Sequence, residues 1–209
     1  MDYERERMEM VRQLARMGIR DDRVLAAMAR VPRERFVREQ DRDIAHGDHA
    51  LGIAEGQTIS QPYVVARMTE LLQVDRTHHV LEVGTGSGYQ AAVLAELARD
   101  VVTVERWPSL AQTAREVLAE LGYDNVTVVE GDASVGYPPG APYDRILVTA
   151  ASPRISPELA RQCALEGRIV APVGDEDLQQ IVVRTGDGTE MSYGAVKFVP
   201  LRGRAGFPP

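Results

Sequence analysis

Val80-Leu81-Glu82-Val83-Gly84-Thr85-Gly86-Ser87-Gly88 runs from a mostly apolar stretch into three glycines at alternate positions. The first four residues suit a buried strand, and the glycines fall where that strand must turn into a helix. Without side chains the turn lets backbone approach a ligand closely, at the carboxyl end of a strand where open α/β sheets form their crevice. A dinucleotide fingerprint would need a third glycine five residues after Gly84, but that position is Tyr89. A phosphate loop would need Gly-Lys-Ser/Thr, which is absent here, and a nucleophile elbow would need glycine two before Ser87, where Thr85 stands. The remaining pattern, an acidic residue followed by Gly-x-Gly-x-Gly, suits a nucleoside cofactor. Taken alone, the loop is weak evidence, because a tight strand-to-helix turn with no ligand can have the same glycines.

Outward from this loop, strands and helices alternate: strands at 80–83, 101–104, 126–129 and 146–149, with helices at 90–98 and 110–121. Such alternation predicts parallel βαβ units with right-handed crossovers. Ser156 and Pro157 form an N-cap and N1 pair for a helix ending near Gly167, followed by a strand at 168–171. Segments 180–184 and 196–199 around Thr185-Gly186-Asp187-Gly188 read as an antiparallel hairpin. Upstream, apolar spacing predicts helices over 3–17, with Gly18 as C-terminal cap, and from Asp21 or Asp22 to Val31-Pro32. Residues 33–44 read as charged and irregular, residues 50–59 as loop or short strands, and Pro62 as the start of another helix. The expectation is a Rossmann-like, doubly wound α/β fold: a mostly parallel sheet, antiparallel C-terminal strands and added N-terminal helices. One domain spans residues 1–209, divided into helices and active-site loop (1–75), cofactor-binding core (76–175) and C-terminal strands with tail (176–209).

Of the 209 residues 44% are hydrophobic and 26% charged, enough for one buried core and unlike a disordered chain. A net charge of -7 argues against a nucleic-acid substrate, which calls for a basic footprint. The single cysteine, Cys163, provides no internal disulfide and no cysteine-rich zinc site; it reads as a small core residue within the helix after Pro157. The charged N-terminal stretch is no signal peptide, and no run of 18 apolar residues occurs. A cytoplasmic monomer without membrane attachment is expected. His46 and His49, around Gly47-Asp48, read as a solvated loop rather than a metal site, and His78 and His79 as the surface entry of a strand. Asp175-Glu176-Asp177 reads as a solvated turn.

Glu105 ends the second strand 21 residues beyond Gly84, the spacing at which a carboxylate can accept from both hydroxyls of a ribose. The run from Glu82 through Gly84, Thr85, Gly86 and Gly88 resembles the first motif of class I methyltransferases. That resemblance implies S-adenosylmethionine as cofactor, with S-adenosylhomocysteine as product, and implies that Asp132 accepts from the adenine amino group. Upstream, Gly56-Gln57-Thr58-Ile59-Ser60-Gln61-Pro62 closely resembles the Gly-x-Thr-Ile-Ser hallmark of the protein-L-isoaspartate O-methyltransferase family. The likeness continues through Val104-Glu105-Arg106, residues 143–151, 167–174 and 198–201. It implies that Ser60 is the active-site serine and that Thr58 and Ile59 belong to a loop closing over cofactor and substrate. Isoaspartyl proteins and peptides are the implied substrates. Ala133 departs from the glycine common in relatives after the motif aspartate, a methyl that crowds the adenine position.

Methyl transfer from a sulfonium is an in-line displacement, and a carboxylate acceptor with a reference pKa of about 4 is already an anion at neutral pH. No strong base is needed, which agrees with a signature offering Thr and Ser rather than His or Cys. Ser60 is expected to orient the acceptor by a hydrogen bond; it also reads as an N-cap for the helix at Pro62. Two alternatives stay open: a class I methyltransferase for a small molecule or RNA, and a non-catalytic binder of cofactor or damaged peptide. An NAD-dependent oxidoreductase fits poorly because of Tyr89.

Overall fold

A computed structural model describes residues 2–208. Helix α1 (Tyr3–Arg16) starts where the Asp2 side chain accepts from the Arg5 N–H at 3.1 Å. Such a cap is worth about 1 kcal/mol. The chain reverses at Gly18, whose φ of +107° only glycine adopts without strain. Helix α2 (Asp22–Arg30) is capped by Asp21, and helix α3 (Pro62–Leu72) begins with proline at its first position. Between them lie 3-10 turns at Arg33–Arg35 and Glu39–Ile44 and a two-residue antiparallel ribbon, β1 (Leu51–Gly52) with β2 (Thr58–Ile59).

The sheet then builds outward from β3 (His79–Val83), through α4 (Tyr89–Ala95), β4 (Asp100–Glu105), α5 (Pro108–Glu120) and β5 (Val126–Glu130) in one direction. It continues through β6 (Tyr143–Val148), α6 (Pro157–Gln162), β7 (Cys163–Gly174), β8 (Gln179–Thr185) and β9 (Glu190–Val196) in the other. The strand order is β5-β4-β3-β6-β7-β8-β9. The first five strands run parallel, and β8 and β9 add antiparallel. The winding reverses at β3, so the crevice beyond the carboxyl ends of β3 and β6 is the place where this topology binds ligands. Alternate residues of the strands face two apolar clusters. Val80 and Val101 pack with α1 to α4, while Leu81, Val83 and Ile146 pack against α6 and the turn Ala133–Val135.

Three expectations are corrected. The helix after Pro157 stops at Gln162 rather than near Gly167, because β7 begins at Cys163 and pairs with β6 from Tyr143 onward. Cys163 is therefore a half-buried strand residue, and burial pushes its thiol up to about 11. The last strand is Glu190–Val196, not 196–199; residues 197–201 instead cross the end of the sheet, where Ala151 bonds the Val199 carbonyl and the Leu201 N–H. His46 is not solvated: at 8% exposure its Nδ1 lies 3.5 Å from Glu6 and its Nε2 3.2 Å from Glu34, because the preceding 3-10 run folds against α1.

Candidate active site

Residues 84–87, Glu105, Thr149, the segment 57–60 and the crossing segment 198–202 surround one cleft of about 840 Å³, open mouth included, at the carboxyl ends of β3, β4 and β6. The glycines behave as their spacing suggests. Gly84 has a φ of +98°, and a Cβ there would meet the Thr149 Oγ1 at 2.6 Å. That hydroxyl is fixed in turn, 2.6 Å from the Gly84 carbonyl to which it donates. At Gly84 the loop is thus pressed tightly against the end of β6, while residues 84–87 line the cleft.

Strand register sets the acidic positions. Glu82 pairs with Thr103, so the next rim positions, 84 and 105, are level. Glu105 is 5% exposed, and its two oxygens accept from the Gly86 N–H at 2.9 Å and the Trp107 N–H at 3.0 Å. Two backbone donors hold the carboxylate still while lone pairs remain for the cleft. Glu82 lies beneath the loop rather than in the cleft wall. It is 0% exposed; its Oε2 accepts from Thr103 at 2.5 Å, and the Thr103 hydroxyl lies 2.7 Å from that of Thr85. Burial pushes its carboxyl up to about 8, with the charge of Glu105 adding to the rise. Glu82 therefore orders Thr85, which does line the cleft.

Asp132 is not among the described residues lining the cleft, although its neighbour Ala133 is; its carboxylate is turned to the C-terminal tail. Oδ1 accepts from the Ser134 N–H at 3.0 Å and hydroxyl at 2.6 Å, and Oδ2 from the Arg204 N–H at 2.9 Å. Partial burial raises its pKa, but the bonds from Arg204 and Ser134 outweigh this and leave it below the ordinary value. Ala133 is 4% exposed and lines the cleft, its methyl packed with Val104 and Leu201. Gly88 opens α4 and does not line the cleft.

At the other end Thr58 and Ile59 form β2, and Ser60 follows at the cleft wall. The N-cap role expected of Ser60 is not its own: Gln61 occupies the cap position, and the Asp48 Oδ1 accepts from the Tyr63 N–H at 2.8 Å. Among the described residues the Ser60 hydroxyl has no partner, while its carbonyl accepts from Arg33 at 2.8 Å. The sequence alone assigns no site role to Arg33, Asp48, Trp107 or Thr149; Arg33, Asp48 and Thr149 reach their partners Ser60, Tyr63 and Gly84 only through the fold. No histidine, cysteine or lysine is among the described residues lining the cleft.

The model of the protein-L-isoaspartate(D-aspartate) O-methyltransferase family matches residues 5–206 of this chain. The chain belongs to that family. A protein-L-isoaspartate O-methyltransferase of Methanoculleus marisnigri is 54% identical over 207 residues, covering 97% of this chain and 94% of the relative. One from Protochlamydia amoebophila is 49% identical, covering 94% and 96%. Among solved structures, a protein-L-isoaspartate O-methyltransferase superposes with a TM-score of 0.86 at 27% identity over 95% of this chain, which spans 66% of that longer one. The fold is shared as well with a Plasmodium falciparum protein described as a putative enzyme of this kind in complex with S-adenosylhomocysteine, at a TM-score of 0.81 and 23% identity, covering 94% of this chain and 98% of that one. Membership in the family agrees with the Rossmann-like sheet expected from the sequence. Among the described residues no helix is long and apolar enough to cross a membrane.

Proposed function

We propose that this protein transfers a methyl group from S-adenosylmethionine to the free carboxylate of L-isoaspartyl residues in damaged proteins and peptides. The observation that carries the reading is the division of the cleft. One part of its lining presents the glycine loop and the braced Glu105 carboxylate, and another presents Ser60, whose hydroxyl is unbonded among the described residues. The donor set fits the cofactor: a carboxylate already held by two N–H groups is preorganised for a diol. When bound, the sulfonium supplies an electrophilic methyl group. The protein's part is to hold Glu105 against the ribose, Asp132 and Ala133 against the adenine, and Thr58 and Ile59 over the reacting ends.

Ser60 donates to the acceptor carboxylate and aims one oxygen along the line of displacement. Because the acceptor is already anionic, the residues need to align and desolvate two opposite charges rather than move a proton. The methyl ester formed is a better electrophile than the free carboxylate, so the neighbouring backbone amide nitrogen attacks its carbonyl carbon, the methoxy group leaves as methanol with the amide proton, and a succinimide results whose hydrolysis returns part of the residue to normal aspartate. The acidic chain supports a protein rather than a nucleic-acid substrate, and a cytoplasmic monomer is part of the same proposal.

Transfer of labelled methyl groups to matched peptides containing isoaspartate or aspartate, scored as base-labile ester, tests the reading. Labelling of the isoaspartyl peptide alone is expected. Binding of cofactor with neither peptide labelled would overturn it in favour of a small-molecule methyltransferase or a silent binder.

A further inference from the structure

Arg33 lies outside the cofactor loop and outside the Gly56–Ser60 signature, yet it is wholly buried at 0% exposure. Among the described residues no carboxylate lies within ion-pair reach of its guanidinium. A buried charge without a counter-ion is costly, and a core position here would be more stable with an apolar side chain of similar volume. Burial pulls its pKa below the ordinary guanidinium value, though an arginine keeps its charge. Three contacts compensate in part. Nε donates to the Ala45 carbonyl at 2.8 Å, Nη2 donates to the Ser60 carbonyl at 2.8 Å, and the guanidinium carbon sits 4.7 Å from the centre of the Tyr89 ring. Nη1 is buried and has no partner.

Those contacts join the two walls of the cleft. Ser60 carries the hydroxyl that faces the acceptor, and Tyr89 is the first residue of α4, directly after Gly88 of the cofactor loop. Phe36 backs the same ring at 5.6 Å, so Tyr89 is not free to turn away from the guanidinium. The next turn is pinned independently, since Asp48 holds the Tyr63 N–H. We propose that Arg33 is a positioning residue: by clamping the Ser60 carbonyl while resting on Tyr89, it sets the separation between the acceptor wall and the methyl-donor loop. A planar fork suits this task, because it reaches two carbonyls and sits over a ring at once, which an ammonium cannot do.

The inference rests on Ser60 facing the acceptor. The test is a double-mutant cycle of Arg33→Lys with Ser60→Ala, with Arg33→Gln run in parallel in case the lysine variant folds poorly. For each protein, kcat and KM for an isoaspartyl peptide, calorimetric Kd for S-adenosylhomocysteine, and Tm are measured. A displacement of about 1 Å across the reacting pair should lower kcat of R33K by about 10- to 100-fold, with the product's Kd changed by less than about 3-fold. The loss should shrink markedly when Ser60 is already alanine, because one group acts through the other. Unchanged kcat in a folded variant, losses that simply multiply with S60A, or a Kd that weakens as far as kcat would each overturn the proposal. If S60A alone leaves kcat unchanged, the role of Ser60 fails, and a kcat effect of R33K then shows that Arg33 acts on the cleft by another route.

Discussion

The Asp48 carboxylate accepts the Tyr63 backbone N–H at 2.8 Å and so caps α3 from a loop 15 residues upstream. A tertiary contact does the work that a local serine would otherwise do, and the Ser60 hydroxyl is left free beside the cleft. Separate consequences follow for the two residues. Asp48→Ala should cost about 1 kcal/mol in stability, the usual value of a helix cap, visible as a lower Tm. Ser60→Ala should leave stability within about 0.5 kcal/mol of the parent, as for a residue whose side chain bonds nothing among the described residues, while kcat falls and affinity for S-adenosylhomocysteine holds. A collapse of cofactor affinity in S60A would show that the hydroxyl serves the donor side.

Glu82 carries a pH signature. Its folded pKa of about 8 lies above the ordinary carboxyl value of 4.5, so between those two pH values the folded protein binds a proton that the unfolded chain has released. Stability contributed by this group is full below about pH 4.5 and declines as pH rises toward 8, by at most about 1.4 kcal/mol per pH unit. Glu82→Gln keeps an acceptor for Thr103 and cannot ionise. Denaturant unfolding from pH 5 to 9 should therefore show the variant gaining on the parent as pH increases; parallel curves would rule out a buried neutral carboxyl.

Glu105 bonds backbone on both sides of its position, and its removal frees the Gly86 and Trp107 N–H groups as well as the diol site. Glu105→Ala should weaken S-adenosylhomocysteine binding by about 100-fold, the cost of roughly two hydrogen bonds to a charged group. Trp107, the one tryptophan in the sequence, lines the same cleft, so its fluorescence offers a direct readout of titration. Affinity within about 3-fold of the parent, a difference well under one such bond, would place the ribose elsewhere.

Gly203 passes so close to Asp132 that a Cβ would overlap the carboxylate. Gly203→Ala should lift the tail, break the bonds from Arg204 and Ala205 to Asp132 and Ser134, and disturb the place proposed above for the adenine. Calorimetry should show weaker nucleoside binding, with Arg202 released from Glu176 as faster hydrogen exchange of the tail. Unaltered affinity would mean that the tail merely rests on Asp132.

Local signals accounted for much of the fold. The helices at 3–16 and 22–30 were legible because apolar spacing and caps lie within each segment, and the parallel core because buried strands alternate with helices. Errors arose where a neighbour outside the local segment intervened. β7 claimed Cys163 through pairing with β6, and the final segment was held across the sheet end by Ala151 rather than joining β8. His46 was judged by its glycine neighbour in sequence, yet it packs between Glu6 and Glu34.

By itself the sequence determined the class of fold, the glycine turn and the acids at strand ends, because backbone conformation at glycine and the period of strand and helix are properties of short segments. It also carried the family signature at positions 56–62. Only the tertiary structure decided which wall each residue serves: that Glu82 supports the loop from below, that Asp132 is shared with the tail, and that Arg33 grips Ser60 from 27 residues away. Those assignments depend on strand register and on chain segments brought together by burial, and neither distance nor desolvation is written in the spacing of residues along one chain.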